Sequence, residues 1–317
     1  MEFPSELRYT IEQLLSAQDV RALTAAAEGI SNRYRNESGN GKRLVSSEKD
    51  VLAYAAVRMP ATFGAVSKAL ELTLEVFEEE INSILDAGAG TGAASHAAEI
   101  ATGCDNITCL EREEGMIALG QQLMQARGIG ASWIRQDITA GLSDQHTDLV
   151  ISSYCLNELT AAERKKAIIT LWKHTDKLLL LVEPGTPEGA SQLREARNIL
   201  IEAGGYVAAP CPSNGECKLP LDDWCHFSAR VARSKLHKQL KGGDAPYEDE
   251  KFCFLAVSKS ECSGKPRILR HPKIESGKIT LRICTAQGIT DKIVTRKSPL
   301  FKAARKSDSG DSFDDKG

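Results

Sequence analysis

Three cysteines fall within one short stretch, Cys211-Pro212-Ser213-Asn214-Gly215-Glu216-Cys217 followed by Asp223-Trp224-Cys225-His226-Phe227. Thiolates are soft ligands for zinc and for iron–sulfur clusters. The spacing is C-x5-C-x7-C, which differs from the paired C-x2-C of a zinc ribbon. Three cysteines on a Pro/Gly-containing loop can hold three corners of a cluster, and a stable site needs a fourth ligand. Cys253, Cys262 and Cys284 are the candidates for it, and His226 is a candidate ligand or supporting group. The chain has nine cysteines. Its N-terminus carries an early acid and no apolar run, so no export signal is expected and the cysteines read as thiols or ligands, not as disulfides. Cys104, Cys109, Cys155 and Cys262 read most simply as core or surface thiols.

Upstream lies Leu85-Asp86-Ala87-Gly88-Ala89-Gly90-Thr91-Gly92. Glycines at a strand end permit a tight turn and a close backbone approach to a ligand. The spacing is GxGxG, not the GxGxxG of a dinucleotide fold, and no Lys-Ser/Thr follows as in a phosphate loop. Asp86 ahead of Gly88, Gly90 and Gly92 suits a ligand with a positive amine and no pyrophosphate, as in S-adenosylmethionine. Glu111 closes the next strand about 20 residues on, where an acid holds ribose hydroxyls. Gln136-Asp137 closes the third strand, where polar groups can meet an adenine edge.

Past the fourth strand comes Ser153-Tyr154-Cys155-Leu156-Asn157-Glu158-Leu159. The Asn/Asp-Pro-Pro-aromatic sequence of base-amino methyltransferases is absent. Cys155 lacks an identifiable activating base, so nucleophilic chemistry is not expected of it. Tyr154, Asn157 and Glu158 are the candidates for a substrate pocket; alternatively Asn157-Glu158 caps the following helix.

These residues need elements to hold them. Periodicity predicts helices over residues 5–15, 20–30, 46–58 and 63–74, with a loop over 33–43 and a break at 59–62. From residue 83 short apolar runs alternate with helices: strands at 83–88, 106–111, 131–136, 147–153 and 176–183, helices at 93–102, 114–127, 161–172 and 189–203. That alternation predicts an α/β, doubly wound parallel sheet. Later strands are predicted at 251–257 and 267–269, and a β-hairpin of 278–284 with 291–295 around Gln287-Gly288. The tail from Ser307 reads as disordered.

At 317 residues and 42% hydrophobic, the chain can bury a sizeable core. Its net charge of −3 hides an asymmetry: residues 226–306 hold 19 Lys+Arg against 7 Asp+Glu. Arg230, Arg233, Lys235, Lys238 and Lys241 recur at helical spacing, and Lys265, Arg267, Arg270, Lys273, Lys278 and Arg282 follow on the strands. A cationic half predicts an anionic partner such as RNA. No apolar stretch approaches the ~20 residues that span a bilayer, so no membrane partner is expected.

From about residue 80 to 205 the chain resembles class I S-adenosylmethionine-dependent methyltransferases. Arg58-Met59-Pro60-Ala61-Thr62, Glu183-Pro184-Gly185-Thr186-Pro187-Glu188-Gly189, Ala209-Pro210-Cys211-Pro212, Asp223-Trp224-Cys225-His226-Phe227 and Tyr247-Glu248-Asp249-Glu250-Lys251-Phe252 narrow this. Over about residues 50–300 they resemble the methyltransferase-like proteins of the ribosomal small subunit, a mitochondrial assembly-factor family with bacterial relatives. The resemblance implies a Rossmann-like class I methyltransferase sheet (81–205) behind an N-terminal helical region (1–80). A cysteine-rich metal-binding insertion (206–250), last core strands with a basic β-hairpin extension (251–306) and the tail (307–317) follow. It implies that Cys211, Cys217, Cys225 and Cys284 bind a [4Fe-4S] cluster, with zinc as the alternative metal. Its implied partner is small-subunit rRNA, with no DNA, for a monomer in a bacterial cytoplasm or, in a eukaryote, a mitochondrion. Methyl transfer to rRNA, non-catalytic rRNA binding that uses both cofactors structurally, and small-molecule methylation with a structural metal all remain open.

Overall fold

The computed structural model describes residues 2–36, 45, 47–142, 146–220 and 222–313. Four helices come first: α1 (Ser5–Ser16), α2 (Val20–Asn36), α3 (Glu48–Val57) and α4 (Met59–Leu74). Ser47 caps α3 by accepting the Asp50 amide at 3.1 Å, and Arg33 pairs with Asp50 at 3.0 Å to fix α2 on α3. Two expectations shift here. Helix α2 runs through residues 33–36, and residues 37–43 of the expected loop lie outside the described residues. The expected break at 59–62 is the first turn of α4, where Pro60 has no intrahelical bond to lose.

The alternating region follows as β1 (Ile84–Ala87), α5 (Ala93–Thr102), β2 (Ile107–Glu111), α6 (Glu114–Ala126), β3 (Ala131–Arg135), β4 (Thr147–Ser153), α7 (Ala161–Lys173), β5 (Thr175–Pro184) and α8 (Pro187–Glu202). The chain continues as β6 (Tyr206–Ala209), β7 (Phe227–Ala232), α9 (Lys235–Lys241) and β8 (Tyr247–Ser258). One sheet has the order β3-β2-β1-β4-β5-β8-β6, with β7 also paired to β8. Strands β1 to β5 are parallel, and β8 runs antiparallel to β5, β6 and β7. An antiparallel strand between the fifth and sixth is the class I methyltransferase arrangement. Leu178 to Val182 of β5 are fully buried, because helices cover both faces of a parallel sheet. Helices α1 to α4 share one continuous apolar cluster with α5, α6 and the sheet.

Two pieces of the large sheet, β6 and β7, arise inside the segment expected to be an insertion. Arg230 lies on β7 while Lys235, Lys238 and Lys241 lie on α9, so the helical spacing read across 230–241 is interrupted by a strand. Strand β8 also begins four residues before its expected start.

The C-terminal part forms a second sheet from β9 (Arg267–Ile268), β10 (Lys273–Glu275), β11 (Lys278–Thr285) and β12 (Gly288–Thr295), followed by α10 (Phe301–Lys306). Strands β11 and β12 pair antiparallel from Lys278↔Thr295 to Thr285↔Gly288. Ile268, Ile279, Leu281, Ile283, Val294, Ala304 and Phe313 form its own small core. The expectation of a disordered tail fails for residues 307–313. Phe313 is buried, Ser312 bridges to Arg267, and Gly310 donates to the Ile268 carbonyl at 2.8 Å. Residues 314–317 lie outside the described residues.

Candidate functional site

In a doubly wound sheet the strand order reverses between β1 and β4, and a crevice opens beyond their carboxyl ends. The glycine loop forms one wall of it. The amides of Gly88 and Ala89 both donate to the Leu110 carbonyl at 2.9 Å, tying the loop to β2. The glycines serve different ends. A Cβ on Gly88 would lie 2.6 Å from the Cys155 sulfur, and one on Gly92 would meet Met124 at 2.9 Å. Gly90, at φ +55°, has the Tyr54 ring as its nearest neighbour, its hydroxyl an ordinary 3.5 Å from a built Cβ, and its backbone lines the cleft.

Glu111 holds this loop. Its Oε2 accepts the Gly90 amide at 2.8 Å, and its Oε1 accepts those of Arg112 and Glu113 at 2.8 and 2.9 Å. Burial raises its pKa more than these donors lower it. Asp86 sits deeper. Its Oδ2 accepts the amide and hydroxyl of Ser95 at 3.0 and 2.7 Å, and its Oδ1 is buried without a partner among the described residues. Burial pushes its pKa up to about 6.

Gly88, Gly90, Glu111, Gln136, Asp137, Tyr154 and Glu158 line one cleft of about 710 Å³, its open mouth included; Asp86, Gly92 and Asn157 do not. Tyr54 and Arg112 are among the lining residues that the sequence did not single out. Arg112 lies 3.3 Å from Glu158, 3.3 Å from Glu113 and 3.5 Å from Asp137. Burial opposes its charge, but the three carboxylates outweigh that and raise its pKa. Its one sequence signal was its place directly after Glu111.

The loop after β4 is strained. Tyr154 has φ +54°, unusual for a side-chain-bearing residue, and its hydroxyl donates to Glu250 Oε1 at 2.8 Å. Cys155 packs under Gly88. Burial, with Glu158, Glu111 and Glu183 nearby, holds its thiol far above the usual range, so it stays protonated. Asn157 and Glu158 lie in a 3₁₀ turn over Leu156–Glu158. They do not cap the next helix, because Thr160 and Glu163 form a capping box there.

The cysteine segment runs between β6 and β7. Cys211, Cys217, Cys225 and Cys253 line one pocket with Arg194, Arg197 and Trp224. Cys284 on β11 is outside that lining, yet its thiol pKa is pushed to about 12 by burial and then by Cys211 and Cys217. Cys225 is raised well above its usual range by burial, then by Cys211, Cys253, Cys217 and Cys284. The thiols therefore lie within electrostatic reach of one another, although among the described residues no three His, Cys, Asp or Glu side chains adopt metal-ligating geometry. Cys253 donates to the Cys225 carbonyl at 3.2 Å. Cys262 contacts the Val76 carbonyl instead.

Helix α8 grips this segment. Arg197, 5% exposed, donates to the carbonyls of Ser213 (2.9 Å) and Gly215. Its Nε is buried with no partner among the described residues; burial raises the thiol pKa of Cys211, and the Arg197 charge offsets part of that rise. Arg194 donates to the Asp223 carbonyl at 3.2 Å, and Trp224 Nε1 to that of Gly185 at 3.2 Å. Several thiols beside a buried guanidinium with a spare donor fit an anionic thiolate-bound metal group.

The expected RNA-binding cations are largely engaged. Arg230 pairs with Asp249, Arg233 and Lys241 with Glu248, Arg270 and Arg282 with Asp223, and Lys273 and Lys278 with Glu275. Arg267 is 1% exposed and bonds Glu75 at 2.7 Å, so it cannot meet a phosphate.

Known proteins resemble this chain in four reported matches. The curated human protein "Ribosome assembly protein METTL17, mitochondrial" is 25% identical over 337 aligned positions, covering 98% of this chain and 73% of that one. Among solved structures, magnesium protoporphyrin IX methyltransferase from Synechocystis with bound S-adenosylmethionine has 17% identity and a TM-score of 0.43, covering 77% and 99% of the two chains. N-methyltransferase NodS from Bradyrhizobium japonicum, with S-adenosylhomocysteine, has 13% identity and a TM-score of 0.43, covering 74% and 99%. The family model described as "Mitochondrial small ribosomal subunit Rsm22" matches residues 48–314, from the start of α3 past the second sheet. Because that match takes in the glycine loop, the cysteine segment and the basic extension together, the chain belongs to the Rsm22 family.

Proposed function

We propose that this protein is a methyltransferase-like factor that binds small-subunit rRNA as a monomer and acts in assembly of the small ribosomal subunit. The observation that carries this reading is the family match across residues 48–314; a human ribosome assembly relative aligning over 98% of the chain adds support. In a eukaryote the site of action would be the mitochondrion, in a bacterium the cytoplasm. Among the described residues no helix is long and apolar enough to cross a membrane.

The cleft would hold S-adenosylmethionine. Gly88 and Gly90 would let its amino-acid end approach the backbone. Glu111 would take the ribose hydroxyls, Gln136 and Asp137 the adenine edge. Asp86 would act from below by fixing Ser95 at the start of α5. The bound ligand would supply an electrophilic methyl group. Whether it is transferred depends on Tyr154, Asn157 and Glu158. The Tyr154 hydroxyl is engaged by Glu250 and Glu158 by Arg112, which favours a cofactor used to hold a conformation on rRNA. An rRNA methylation map from a deletion strain tests this: one missing methyl group supports catalysis, an unchanged map with defective subunits supports binding alone.

Cys211, Cys217, Cys225 and Cys284 would hold a [4Fe-4S] cluster, with zinc the alternative occupant. The buried Arg197 beside these thiols supports an anionic group there. Iron, acid-labile sulfide and zinc should be measured on protein purified without oxygen. About four iron and four sulfide per chain would support the cluster, and zinc alone would replace it.

A further inference from the structure

We propose that the corner made by the end of β12 and helix α10 is the surface that takes the RNA phosphate backbone. This rests on the rRNA-binding reading above and assigns it a place. Between Lys292 and Ser307 the chain carries Arg296, Lys297, Lys302, Arg305 and Lys306 and no acidic residue. All five are exposed. Among the described residues none of them pairs with a carboxylate, whereas Arg230, Arg233, Lys241, Arg270 and Lys278 are bound to Asp249, Glu248, Asp223 or Glu275.

The corner is preformed. The Arg296 amide donates to the Gly277 carbonyl at 3.0 Å, and the Ser298 amide closes a turn onto Thr295 at 2.9 Å. Helix α10 is seated by Ala304, fully buried, with Leu300 and Phe301 packed on the small core. Lys302, Arg305 and Lys306 stand at i, i+3 and i+4 and so share one helix face, opposite Ala304. Cations carried on a fixed backbone meet a phosphate row without ordering the chain first, and they bind it without reading sequence. An acidic lipid surface is the weaker match, because interfacial helices need a free apolar face and that of α10 is spent on the sheet.

The test uses the full-length protein and transcribed small-subunit rRNA across a KCl series. Lys302→Glu/Arg305→Glu/Lys306→Glu should weaken binding by ~30-fold or more near physiological salt and flatten the log–log salt slope by about 2–3. A control with the same charge change on paired cations, Arg230→Glu/Lys273→Glu/Arg282→Glu, should stay within about 3-fold with its slope unchanged. The neutral triple Lys302→Gln/Arg305→Gln/Lys306→Gln should fall between, and all variants should keep the wild-type melting temperature. Equal losses in both Glu triples, or no loss in the α10 triple, would overturn the assignment while leaving the rRNA reading intact. Wild-type protein that binds no RNA would sink the rRNA reading itself. Wild-type protein that instead binds phosphatidylserine-containing vesicles through α10 would replace RNA with a membrane.

Discussion

Glu111 Oε2 accepts the backbone amide of Gly90 at 2.8 Å, so the acid expected to hold a ribose also holds the open glycine of the loop. The carboxylate takes two further amides through its other oxygen. A ligand that approaches Gly90 therefore meets a loop already fixed in place, and Glu111 pre-orders one wall of the cleft before anything binds.

That arrangement makes Gly90 the most direct probe of the cleft. Gly90→Val places a β-branched residue at φ +55°, a strain of about 1–3 kcal/mol, and fills the space a cofactor needs. S-adenosylhomocysteine affinity by calorimetry should fall by more than tenfold with a modest loss of melting temperature. Retained affinity would mean that the cofactor lies elsewhere.

A second prediction concerns pH. Glu183 on β5 is fully buried, and burial raises its pKa from 4.5 to about 8. Its Oε1 accepts the Leu156 amide of the turn after β4 at 3.0 Å, and across the sheet it registers with Cys253 of the cysteine pocket. The folded state thus holds a proton that the unfolded state gives up. The stability from that proton is fully present below pH 4.5 and is lost as pH rises toward 8. Glu183→Gln, neutral at every pH, should remove much of the decline in melting temperature between pH 6 and 8. An identical slope in wild type and variant would show that Glu183 is ionised in the fold.

Cysteine ligation predicts a contrast between two substitutions. Cys217→Ser should strip most of the iron and destabilise the C-terminal half, because metal binding is coupled to folding. Cys262→Ser should leave iron unchanged, since Cys262 faces Val76. Equal iron in the two proteins would remove Cys217 from the ligand set.

The sheet was readable because its signals are local. Apolar runs ending in glycine, and a period that switches between two and 3.6, belong to short segments, so β1 to β5 and α5 to α8 fall within a few residues of expectation. The cleft was partly readable, since Gly88, Gly90, Glu111, Gln136 and Asp137 all terminate strands on one edge. Arg112 was not, because its meaning comes from Glu158 and Asp137, which only tertiary structure brings to it. Strand β6 is four residues long and its partner β8 is remote in sequence. The cations misled for the same reason: a Lys or Arg carries the same letter whether it faces water or Asp223.

Arg267 is the sharpest instance and gives the last prediction. In the sequence it reads as one more strand cation. In the fold its guanidinium is buried, bonding Glu75 and the Leu72 carbonyl at 2.7 Å and the Gly310 carbonyl at 3.3 Å. It thereby joins the C-terminal end of α4, the second sheet and the tail. Arg267→Met keeps the volume and removes the charge, leaving the Leu72 carbonyl unpaired in the interior and Glu75 without its counter-ion. Breaking one side of a buried pair costs about 3–5 kcal/mol, reduced here because Glu75 is partly exposed. Urea unfolding should show a loss of about 2–3 kcal/mol. Hydrogen exchange should quicken in β9, β11 and residues 307–313 before it quickens in β1 or β4. The RNA salt slope should change little, because this cation never faced solvent. If the variant lost RNA binding as the α10 triple does while keeping its stability, Arg267 would be a phosphate ligand and the buried tie would be wrong.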